Sequence, residues 1–590
     1  METTLAKDQI LNGGEFIVQT SNYETVFIPE DMDEEQQMIR EMCHEFVTGE
    51  VQPKQDKIAN QVSLLEQAGE LGLLSAHIPT TYGGMEMNTN SVTLITEMLG
   101  GGGGSFSTSF AAHTGIGMLP ILYFGTEAQK EKYLPRLSMG ELKASYCLTE
   151  PSSGSDALAA KTRADLSEDG KHYILNGQKM WITNAGFADV FIVFAKIDGD
   201  KFTGFIVDKG AEGMTLGAEE DKLGIKGSST RQVFFENTKV PVENLLGEIG
   251  KGHLIAFNVL NVGRFKLGAM CMGGNKVSLS RSIQYAKERK QFKTAIANFG
   301  AIQYKLAEIA IRNYVLESSV YRVSDLLGDM KTKFINDGLS FSDAMMKSAE
   351  EYAIECAIIK VYGSEVADYA ADETVQIHGG LGFSEELAAA RAYRDTRINR
   401  IYEGTNEINR MLSVNMILRK VKAGQLDLLT SVSAIQKELA SPINSTIAEG
   451  TYGKEIQAVA SFKKALLLVL GAAIKAQMDK KLNLRHEQMI VMNIADMIVD
   501  VFNAESTLFR LQKLSKTKST ADLSVEQAIL QVYFQDANDR IAKNAKDALH
   551  SFISDDTLKV LLKGVKRFTN YDGINVSAAR KKIALKLISE

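Results

Sequence analysis

The chain of 590 residues is predicted to be an α+β protein, mostly α, in which one all-β block separates helical blocks. Two observations predict this class. Apolar residues recur at three- and four-residue spacing in the first and last parts of the chain, whereas short alternating runs bounded by turn residues fill the part between. Because helices and strands keep to separate stretches, we expect separate domains, at residues 1–144, 145–253, 254–423 and 424–590.

The first helical block begins near Asp33. The stretch DEEQQMIREMCHEFV places Met38, Met42 and Phe46 four residues apart, which is one apolar face of a helix. The run Gly100–Gly104 interrupts the block. Five consecutive glycines would lose too much backbone entropy in a helix, so this run is predicted to be a loop.

The β-block contains two hairpin patterns. In the first, KHYIL and QKMWIT flank Asn176-Gly177, a dipeptide that supplies the positive φ angles of a tight turn. In the second, FADVFIVFAKI and FTGFIVD flank the turn sequence DGDK. RQVFFENTKVP adds a further strand, which is predicted to end at Pro241.

Helical spacing returns after Phe257 in the long stretch AIQYKLAEIAIRNYVLESSVYRVSDLL and continues through a Lys-rich extension from about Gly424. Within the extension, FKKALLLVLGAAIKAQMDKK has an apolar centre flanked by lysines. Its apolar run, Ala465–Ile474, is about half the length that spans a bilayer. The stretch fits either an interfacial helix in peripheral membrane contact or a bundle helix with lysine ends.

The composition is that of an ordinary globular protein, with 45% hydrophobic and 24% charged residues. A formal net charge of −7 disfavours nucleic acid as a partner, although a local basic patch for a phosphate-bearing ligand remains compatible with it. Four scattered cysteines disfavour a disulfide framework or a zinc site, and no metal is expected. The N-terminal stretch METTLAKDQILNGGEF does not resemble a signal peptide, so a cytoplasmic location is expected.

Two motifs of the β-block suit a ligand. In YCLTEPSSGSD, residues 146–156, a strand-like stretch runs into small polar residues whose backbone and hydroxyl groups could approach a ligand, although an ordinary surface turn also fits. In QKMWITN, Trp181 and Thr183 would share one face of a strand. A flat aromatic ring beside a hydroxyl suits a planar heterocycle, but a tryptophan in the domain core fits equally well.

Two further motifs lie in the second helical block. QIHGGLGF has three glycines that would let a backbone approach a bulky group, and also fits a helix C-terminus with a turn. In RINRIYEGTNEINR, Glu403 precedes Gly404 and the hydroxyl residue Thr405. Gly404 would break a helix or let a ligand lie against the backbone. Taken alone, Glu403 also fits a surface ion pair with Arg400.

Together and in this order, YCLTEPSSGSD, NGQKMWITNAG, ERKQF, QIHGGLGF and RIYEGTNEINR resemble the motifs of the acyl-CoA dehydrogenase family. The resemblance covers residues 33–410. TEPSSGSD, NFGAIQYKLAEIA and the long extension look most like the very-long-chain branch. The resemblance implies the acyl-CoA dehydrogenase fold, with an N-terminal helical domain, a middle β-domain (barrel or sandwich) and a four-helix domain, to which this chain adds its helical extension.

The resemblance also implies FAD, held between the β-domain and the four-helix domain. The positions that match contacts to the FAD of the same subunit are Tyr146, Leu148, Thr149, Ser155, Trp181, Thr183, Thr405 and Glu407. The positions that match contacts to the FAD of a neighbouring subunit are Arg289, Phe292, Gln376, His378, Gly379 and Gly380.

The activity so implied is the α,β-dehydrogenation of acyl-CoA to trans-2-enoyl-CoA in fatty acid β-oxidation. Glu403 would be the general base and flavin N5 the hydride acceptor, while Ser155, Arg264 and Gly404 would contact substrate. Some branches carry the catalytic Glu on an earlier helix, but the matching residue here is Gly263, which cannot act as a base. Two small residues, Thr108 and Ala112, match positions that close the acyl pocket in medium-chain members, which favours long acyl chains.

The very-long-chain branch implies a homodimer that passes electrons to an electron-transfer flavoprotein. Two alternatives remain open from the sequence. One is a scaffold or assembly protein on the same fold, and the other is an acyl-CoA oxidase that uses oxygen directly.

Overall fold

The structure, a computed structural model, describes residues 10–441, 450–518, 520–571 and 573–590. The N-terminal block is helical, as predicted. Its helices are α1 (Glu34–Phe46), α2 (Gln52–Lys54), α3 (Ile58–Glu70), α4 (Thr89–Gly100), α5 (Gly104–Ala111), α6 (Leu119–Phe124) and α7 (Glu127–Ser138). Asp33 caps α1 by accepting a hydrogen bond from the Gln36 N–H.

The glycine run is a tight connection rather than an extended loop. Gly100 is the last residue of α4 and Gly104 is the first of α5, so only residues 101–103 lie outside a helix. A Cβ at position 100 would lie 2.3 Å from the Met270 carbonyl oxygen. The glycines therefore allow two backbones to pack closely, which a pattern of residue types cannot show.

The middle block is a mixed sheet. Its strands are β1 (Ala144–Cys147), β2 (Arg163–Leu166), β3 (His172–Thr183), β4 (Val190–Ile197), β5 (Lys201–Asp208), β6 (Met214–Glu219), β7 (Thr230–Pro241) and β8 (Leu245–Leu246). They are ordered β6-β7-β3-β2-β4-β5-β8, and β1 runs parallel to β4. The hairpin across DGDK is confirmed, since β4 pairs antiparallel with β5 from Ile197 and Lys201 outward.

The hairpin predicted at Asn176-Gly177 is wrong. Both residues lie within the single strand β3, which pairs along most of its length with β7. The register shifts between Leu175 and Gly177, so the dipeptide forms a bulge instead of a turn. Long-range pairing with β7 has overridden the local turn preference.

The second helical block and the extension are helical throughout most of their length. The elements of the block are α8 (Gly252–Glu288), β9 (Lys290–Gln291), β10 (Thr294–Ala295), α9 (Gly300–Asn336), α10 (Phe341–Glu351), α11 (Ala353–His378), α12 (Gly380–Phe383), α13 (Ala388–Thr396) and α14 (Asn406–Lys422). The helices of the extension are α15 (Leu428–Leu439), α16 (Gly453–Met478), α17 (Gln488–Thr517), α18 (Ser524–Phe552), α19 (Asp556–Phe568) and α20 (Val576–Ser589).

The extension packs on the second helical block through one shared apolar core, which also takes in the N-terminal residues Leu11, Phe16 and Ile17. Helices α8 and α16 are long and apolar enough to cross a membrane by length and composition, but most of each apolar window is buried in the fold. The apolar centre of α16 lies in the core, so the structure favours the bundle-helix interpretation of this stretch.

Candidate active site at the junction of two cavities

Glu403 lies in the turn before α14 in a backbone conformation that its sequence does not favour. Its φ is +59°, and that of Gly404 is +78°. For a residue with a side chain this region costs about 1–2 kcal/mol, so surrounding contacts must hold it. The Gly404 carbonyl accepts hydrogen bonds from Lys360 Nζ (2.7 Å) and Asn409 Nδ2 (2.8 Å). Thr405 caps α14.

The Glu403 carboxyl group accepts no hydrogen bond from the described residues, and its Oε2 atom is buried. Burial raises the pKa of Glu403 to about 7, although the nearby cations Arg264 and Lys360 oppose the rise. Arg400 pairs with Asp368 instead (2.8 Å), so the surface ion pair with Glu403 that the sequence left open does not form.

Gly263 and Glu403 lie against each other in the structure, although they are far apart in the chain. A Cβ built on Gly263 would lie 2.4 Å from Glu403 Oε2. Any side chain at position 263 would therefore displace the carboxyl group. The next residue, Arg264, is buried, donates to Asn261 Oδ1 (2.8 Å) and points its Nε at the Glu403 carbonyl oxygen (3.4 Å).

Two cavities meet at Glu403. The larger, about 1400 Å³, lies between the sheet, the start of α8, α14 and the extension, and we call it the main cavity. The smaller, about 180 Å³, runs between α8 and the α4–α5 region, and we call it the tunnel. Thr183, Tyr402 and Glu403 line both. A molecule that fills both would pass the carboxyl group.

The structure brings many of the sequence-predicted site residues together on the wall of the main cavity. They are Tyr146, Leu148, Thr149, Ser155, Trp181, Thr183, Arg264, Glu403, Gly404 and Thr405. Trp181 has a φ of +61° and is 54% exposed, so it does not lie in the core of the domain. The hydroxyl groups of Tyr146 and Thr230 are buried there without a partner. An exposed indole and unpaired donors suit a planar, polar-edged heterocycle.

The other predicted residues lie outside both cavities. Glu407 is exposed on α14. Arg289, Phe292, Gln376, Gly379 and Gly380 are exposed, and Phe292 is 91% accessible at a φ of +50°. His378 ends α11, where its ring stacks on Tyr285 at 4.2 Å. QIHGG therefore forms a helix C-terminus, and it leaves an exposed surface on the subunit.

Two groups of residues were not predicted from the sequence. One holds the turn that contains Glu403, and the other consists of the arginines that line the main cavity. Lys360 is a single cation in an apolar helical stretch, AIIKVYG, which could have marked it as a buried lysine with a partner. Arg397, Arg419 and Arg485 line the main cavity, and their guanidinium groups have no side-chain or backbone acceptor among the described residues. They come from three separate elements, so no local pattern unites them.

The tunnel is long and lined by small residues. On one side lie Thr108 and Ala112, as the sequence comparison of pocket positions predicted, together with the glycine run. On the other side the lining follows α8 from Gly263 to Arg281. At about 1.5 Å of rise per residue, that part of the helix is about 27 Å long.

Family models match most of the chain. The acyl-CoA dehydrogenase N-terminal domain matches residues 33–141, the middle domain residues 145–238, and the C-terminal domain residues 250–418. A further acyl-CoA dehydrogenase C-terminal domain model matches residues 461–567, within the extension.

Curated relatives agree. A "Probable acyl-CoA dehydrogenase" of Bacillus subtilis (strain 168) is 44% identical over 580 residues, which cover 98% of this chain and 97% of that protein. The human mitochondrial very long-chain specific acyl-CoA dehydrogenase is 36% identical over 484 residues, 77% of this chain and 70% of that protein.

Two solved structures resemble this chain to different extents. An acyl-CoA dehydrogenase from Bacillus anthracis, complexed with FAD, superposes with a TM-score of 0.93 at 44% identity and covers 98% of this chain and 99% of that chain. Butyryl-CoA dehydrogenase from Megasphaera elsdenii, with a TM-score of 0.59 and 34% identity, covers 66% of this chain and 99% of its own. Some relatives thus share the extension, whereas others match only two thirds of the chain.

Proposed function

The chain belongs to the acyl-CoA dehydrogenase family, and on that basis we propose that it oxidises long-chain acyl-CoA to trans-2-enoyl-CoA in fatty acid β-oxidation, with Glu403 as the general base. Family membership makes the protein a FAD-dependent enzyme. One observation supports the assignment of the base: the Glu403 carboxyl group, whose Oε2 has no partner among the described residues, lies where two cavities meet, and these would hold the cofactor with the polar part of the substrate and the acyl chain.

The residues around the main cavity fit FAD. Tyr146, Leu148, Thr149 and Ser155 would contact it from the β-domain, Trp181 would cover one ring face, and Thr183 would approach the reactive edge. When bound there, FAD would supply the two-electron acceptor that the removal of a hydride from the substrate β-carbon requires. Thr405 and Glu407, at the start of α14, would also contact FAD, as the resemblance to the family implies.

Glu403 would remove the α-proton. The α-proton of a thioester is a far weaker acid than a free carboxylic acid, so an ordinary carboxylate is a poor base for it. Burial already raises the pKa of Glu403 to about 7, and an acyl chain that displaces water from the site would raise it further. The side chain has Oε2 free to accept the proton, with no hydrogen bond to break first.

The same turn offers a donor for the developing enolate. The Glu403 N–H has no acceptor among the described residues, and Glu403 lines both cavities. A thioester oxygen placed there would accept from it as negative charge develops. One such donor typically contributes about 3–4 kcal/mol to a transition state. Lys360 and Asn409 act as positioning residues, because they hold the neighbouring Gly404 carbonyl.

The tunnel supports a preference for long acyl chains. Its wall follows about 27 Å of α8. By comparison, the hydrocarbon core of a bilayer, which accommodates two acyl chains end to end, is about 30 Å thick. The length of this wall is therefore compatible with a long acyl chain, and each CH₂ that is buried against it contributes about 0.8 kcal/mol.

The arginines of the main cavity support a CoA thioester rather than a free acid as substrate. The guanidinium groups of Arg397, Arg419 and Arg485 have no partner in the part of the chain that the structure describes, and guanidinium groups bind phosphate oxygens in a bidentate manner. The protein as a whole has a net charge of −7, so this local excess of cations is specific to the cavity. Arg485 belongs to the segment between α16 and α17, which makes the extension part of the substrate-binding wall.

The exposed residues Arg289, Phe292, Gln376, Gly379 and Gly380, together with the buried His378 between them, would contact the FAD of a second subunit in a homodimer. An electron-transfer flavoprotein would be the electron acceptor, and the protein would act in the cytoplasm, in peripheral contact with a membrane. The homodimer and the electron acceptor are proposed from the resemblance of the motifs to the family.

Anaerobic titration of the purified holoenzyme with acyl-CoA thioesters of increasing length tests the proposal. Bleaching of the flavin absorbance should be fastest with long chains such as palmitoyl-CoA, and trans-2-enoyl-CoA should be the product. Absence of bleaching with every chain length would refute the dehydrogenase function, and equally rapid bleaching by butyryl-CoA would refute the long-chain preference.

A further inference from the structure

Lys266 is a buried charged residue that the proposed reaction does not use. It lies on α8, three residues beyond Gly263, and only 6% of it is exposed. Its ammonium group has no hydrogen bond or ion pair with any described residue. Burial lowers the pKa of Lys266 to about 8, and no carboxylate counters the shift. An uncompensated buried charge costs several kcal/mol, a cost that a packing role does not explain.

Lys266 lines two cavities at once. One is the tunnel, and the other is a separate space of about 70 Å³ between α4, α8, α9 and α10, which we call the side cavity. Most of the side cavity is apolar, with Met87, Val92, Leu327 and Met345 on its wall. It has room for on the order of five waters at roughly 15 Å³ each, or for a carboxylate with its first methylene groups, while the rest of an aliphatic chain would extend past the partly accessible Lys331.

Further polar groups at the side cavity also lack partners. His77 Nε2 and the Tyr123 hydroxyl are buried and have no hydrogen bond with the described residues. The charge of Lys266 helps to hold the pKa of His77 well below its usual range, although burial is the larger cause. The Tyr123 hydroxyl and the Lys266 ammonium group therefore belong to one cavity wall, and neither has a hydrogen-bond partner among the described residues.

A second cation lies at the more exposed end. Lys331 lines the side cavity with its Nζ 4.8 Å from the ring centre of Phe341, and both residues are partly accessible to solvent. Burial lowers the pKa of Lys331 as well. The described lining residues include two lysines and a phenol but neither Asp nor Glu. The acid–base side chains that carry charge on the described wall of this apolar space are therefore all cationic.

We propose that the side cavity binds the carboxylate of an aliphatic chain, with Lys266 and Tyr123 as the main donors. A carboxylate would supply the missing counter-charge of Lys266 and accept from the Tyr123 hydroxyl, while the attached methylene groups contact Leu327 and Met345. A phosphate or a fully hydrated inorganic anion would leave the apolar wall without a partner. Because Lys266 also lines the tunnel, occupation of the side cavity is positioned to affect the acyl chain.

Two sources can supply such a carboxylate. One is a free fatty acid that enters past Lys331. The other is the far end of an acyl-CoA whose chain carries a second carboxylate, which reaches Lys266 from the tunnel. The second source rests on the function proposed above, whereas the first does not.

Calorimetric titration of the holoenzyme with octanoate tests the site directly, and octanol serves as the uncharged control. We expect saturable binding of octanoate and none of octanol. Lys266→Met, which keeps the length and apolar stem of the side chain, should weaken octanoate binding at least tenfold. Tyr123→Phe, which removes one hydroxyl, should weaken it about three- to tenfold.

Stability provides an independent check that these variants fold. Lys266→Met removes an uncompensated buried charge, so its melting temperature should equal or exceed that of the parent protein. A matched loss of charge on the surface, Lys305→Met on α9, should leave octanoate binding unchanged, since Lys305 pairs with Glu373 outside the side cavity.

The two sources are separated by the ratio of kcat/KM for octanedioyl-CoA to that for octanoyl-CoA. A fall in this ratio of tenfold or more in Lys266→Met would identify the chain end of the substrate, whereas loss of octanoate binding with an unchanged ratio would identify a free acid. The proposal is overturned if octanoate binding is absent, or equally tight in Lys266→Met and Tyr123→Phe, and the ratio is unchanged. A complete lack of turnover with either thioester would instead count against the proposed function and leave the octanoate result valid.

Discussion

Two buried glutamates, one in the extension and one at the cavity junction, are treated in opposite ways by the fold. Glu505 on α17 accepts from Arg322 (2.7 Å) and Lys463 (2.5 Å), so both of its oxygens are paired. Lys463 in turn donates to the Gln19 carbonyl (2.7 Å). Glu403 has an oxygen without a partner and a backbone at positive φ.

The comparison distinguishes a buried charge that stabilises the fold from a buried charge that takes part in the reaction. A buried ion pair with all of its partners joins elements together, here the extension, the second helical block and the N-terminal segment. A buried carboxyl group whose partners are incomplete carries a free-energy cost, and that cost is retained where the group must change its protonation state. The two glutamates should therefore respond differently to the same substitution.

The largest expected difference concerns stability. Glu505→Gln leaves Arg322 and Lys463 buried without a counter-charge and should lower the free energy of unfolding by about 3–5 kcal/mol. Glu403→Gln removes an incompletely paired charge and should leave that free energy unchanged or slightly higher. Denaturant unfolding of both variants, followed by circular dichroism, measures the difference. Equal destabilisation would remove the distinction between the two sites.

Gly263→Ala should affect activity and not folding. The added Cβ would lie 2.4 Å from Glu403 Oε2, so the carboxyl group must move. A displacement of about 1 Å at a reacting group can cost on the order of a hundredfold, and we expect kcat/KM to fall by about that factor while flavin content stays constant. Gly300→Ala is the matched control, since a Cβ there meets nothing within 4 Å. An unimpaired Gly263→Ala variant would show that the carboxyl group is elsewhere during turnover.

The pH dependence should follow the raised pKa of Glu403. The base acts as a carboxylate, and burial sets its pKa at about 7 in the free protein. The plot of kcat/KM should therefore fall as pH drops below about 7, by close to tenfold per pH unit. If kcat/KM instead falls only below about pH 4.5, Glu403 is accessible to water and has the pKa of an ordinary glutamate.

The smallest expected effect belongs to the extension. Arg485→Ala removes one unpaired guanidinium group from the main cavity, so the KM for palmitoyl-CoA should rise about five- to tenfold while kcat changes little. Palmitoyl-pantetheine, which lacks the nucleotide phosphates, should not distinguish the variant from the parent protein. Lys481→Ala, on the same connection but outside the cavity, is the control. If both variants behave alike, the extension does not contact the substrate.

Much of this arrangement could be predicted from the sequence because the informative segments are local. The switch from helical to alternating spacing located the sheet, and the motifs with Trp181, Thr183 and Glu403 converge on one cavity as their resemblance to the family implied. Gly263 was excluded as a base from its lack of a side chain, and the structure adds the physical reason that nothing larger fits beside Glu403.

The rest depends on contacts between distant segments. Asn176-Gly177 has the local preference of a turn, yet β7 pairs across it and the dipeptide becomes a bulge. The partners of Glu505 come from α9 and α16, and Arg485 reaches the main cavity from the extension. In the sequence, nothing distinguishes Lys266 from the other polar residues of α8. Only packing shows that it is buried and unpaired.

The proposed reaction depends most directly on Glu403 as the general base. Anaerobic stopped-flow mixing of the Glu403→Gln holoenzyme with palmitoyl-CoA tests this role. We predict that flavin content and palmitoyl-CoA binding stay near those of the parent protein, while the rate of flavin bleaching falls by about 10³-fold or more, the upper part of the range for loss of a general base. Bleaching within a few-fold of the parent rate would contradict the assignment.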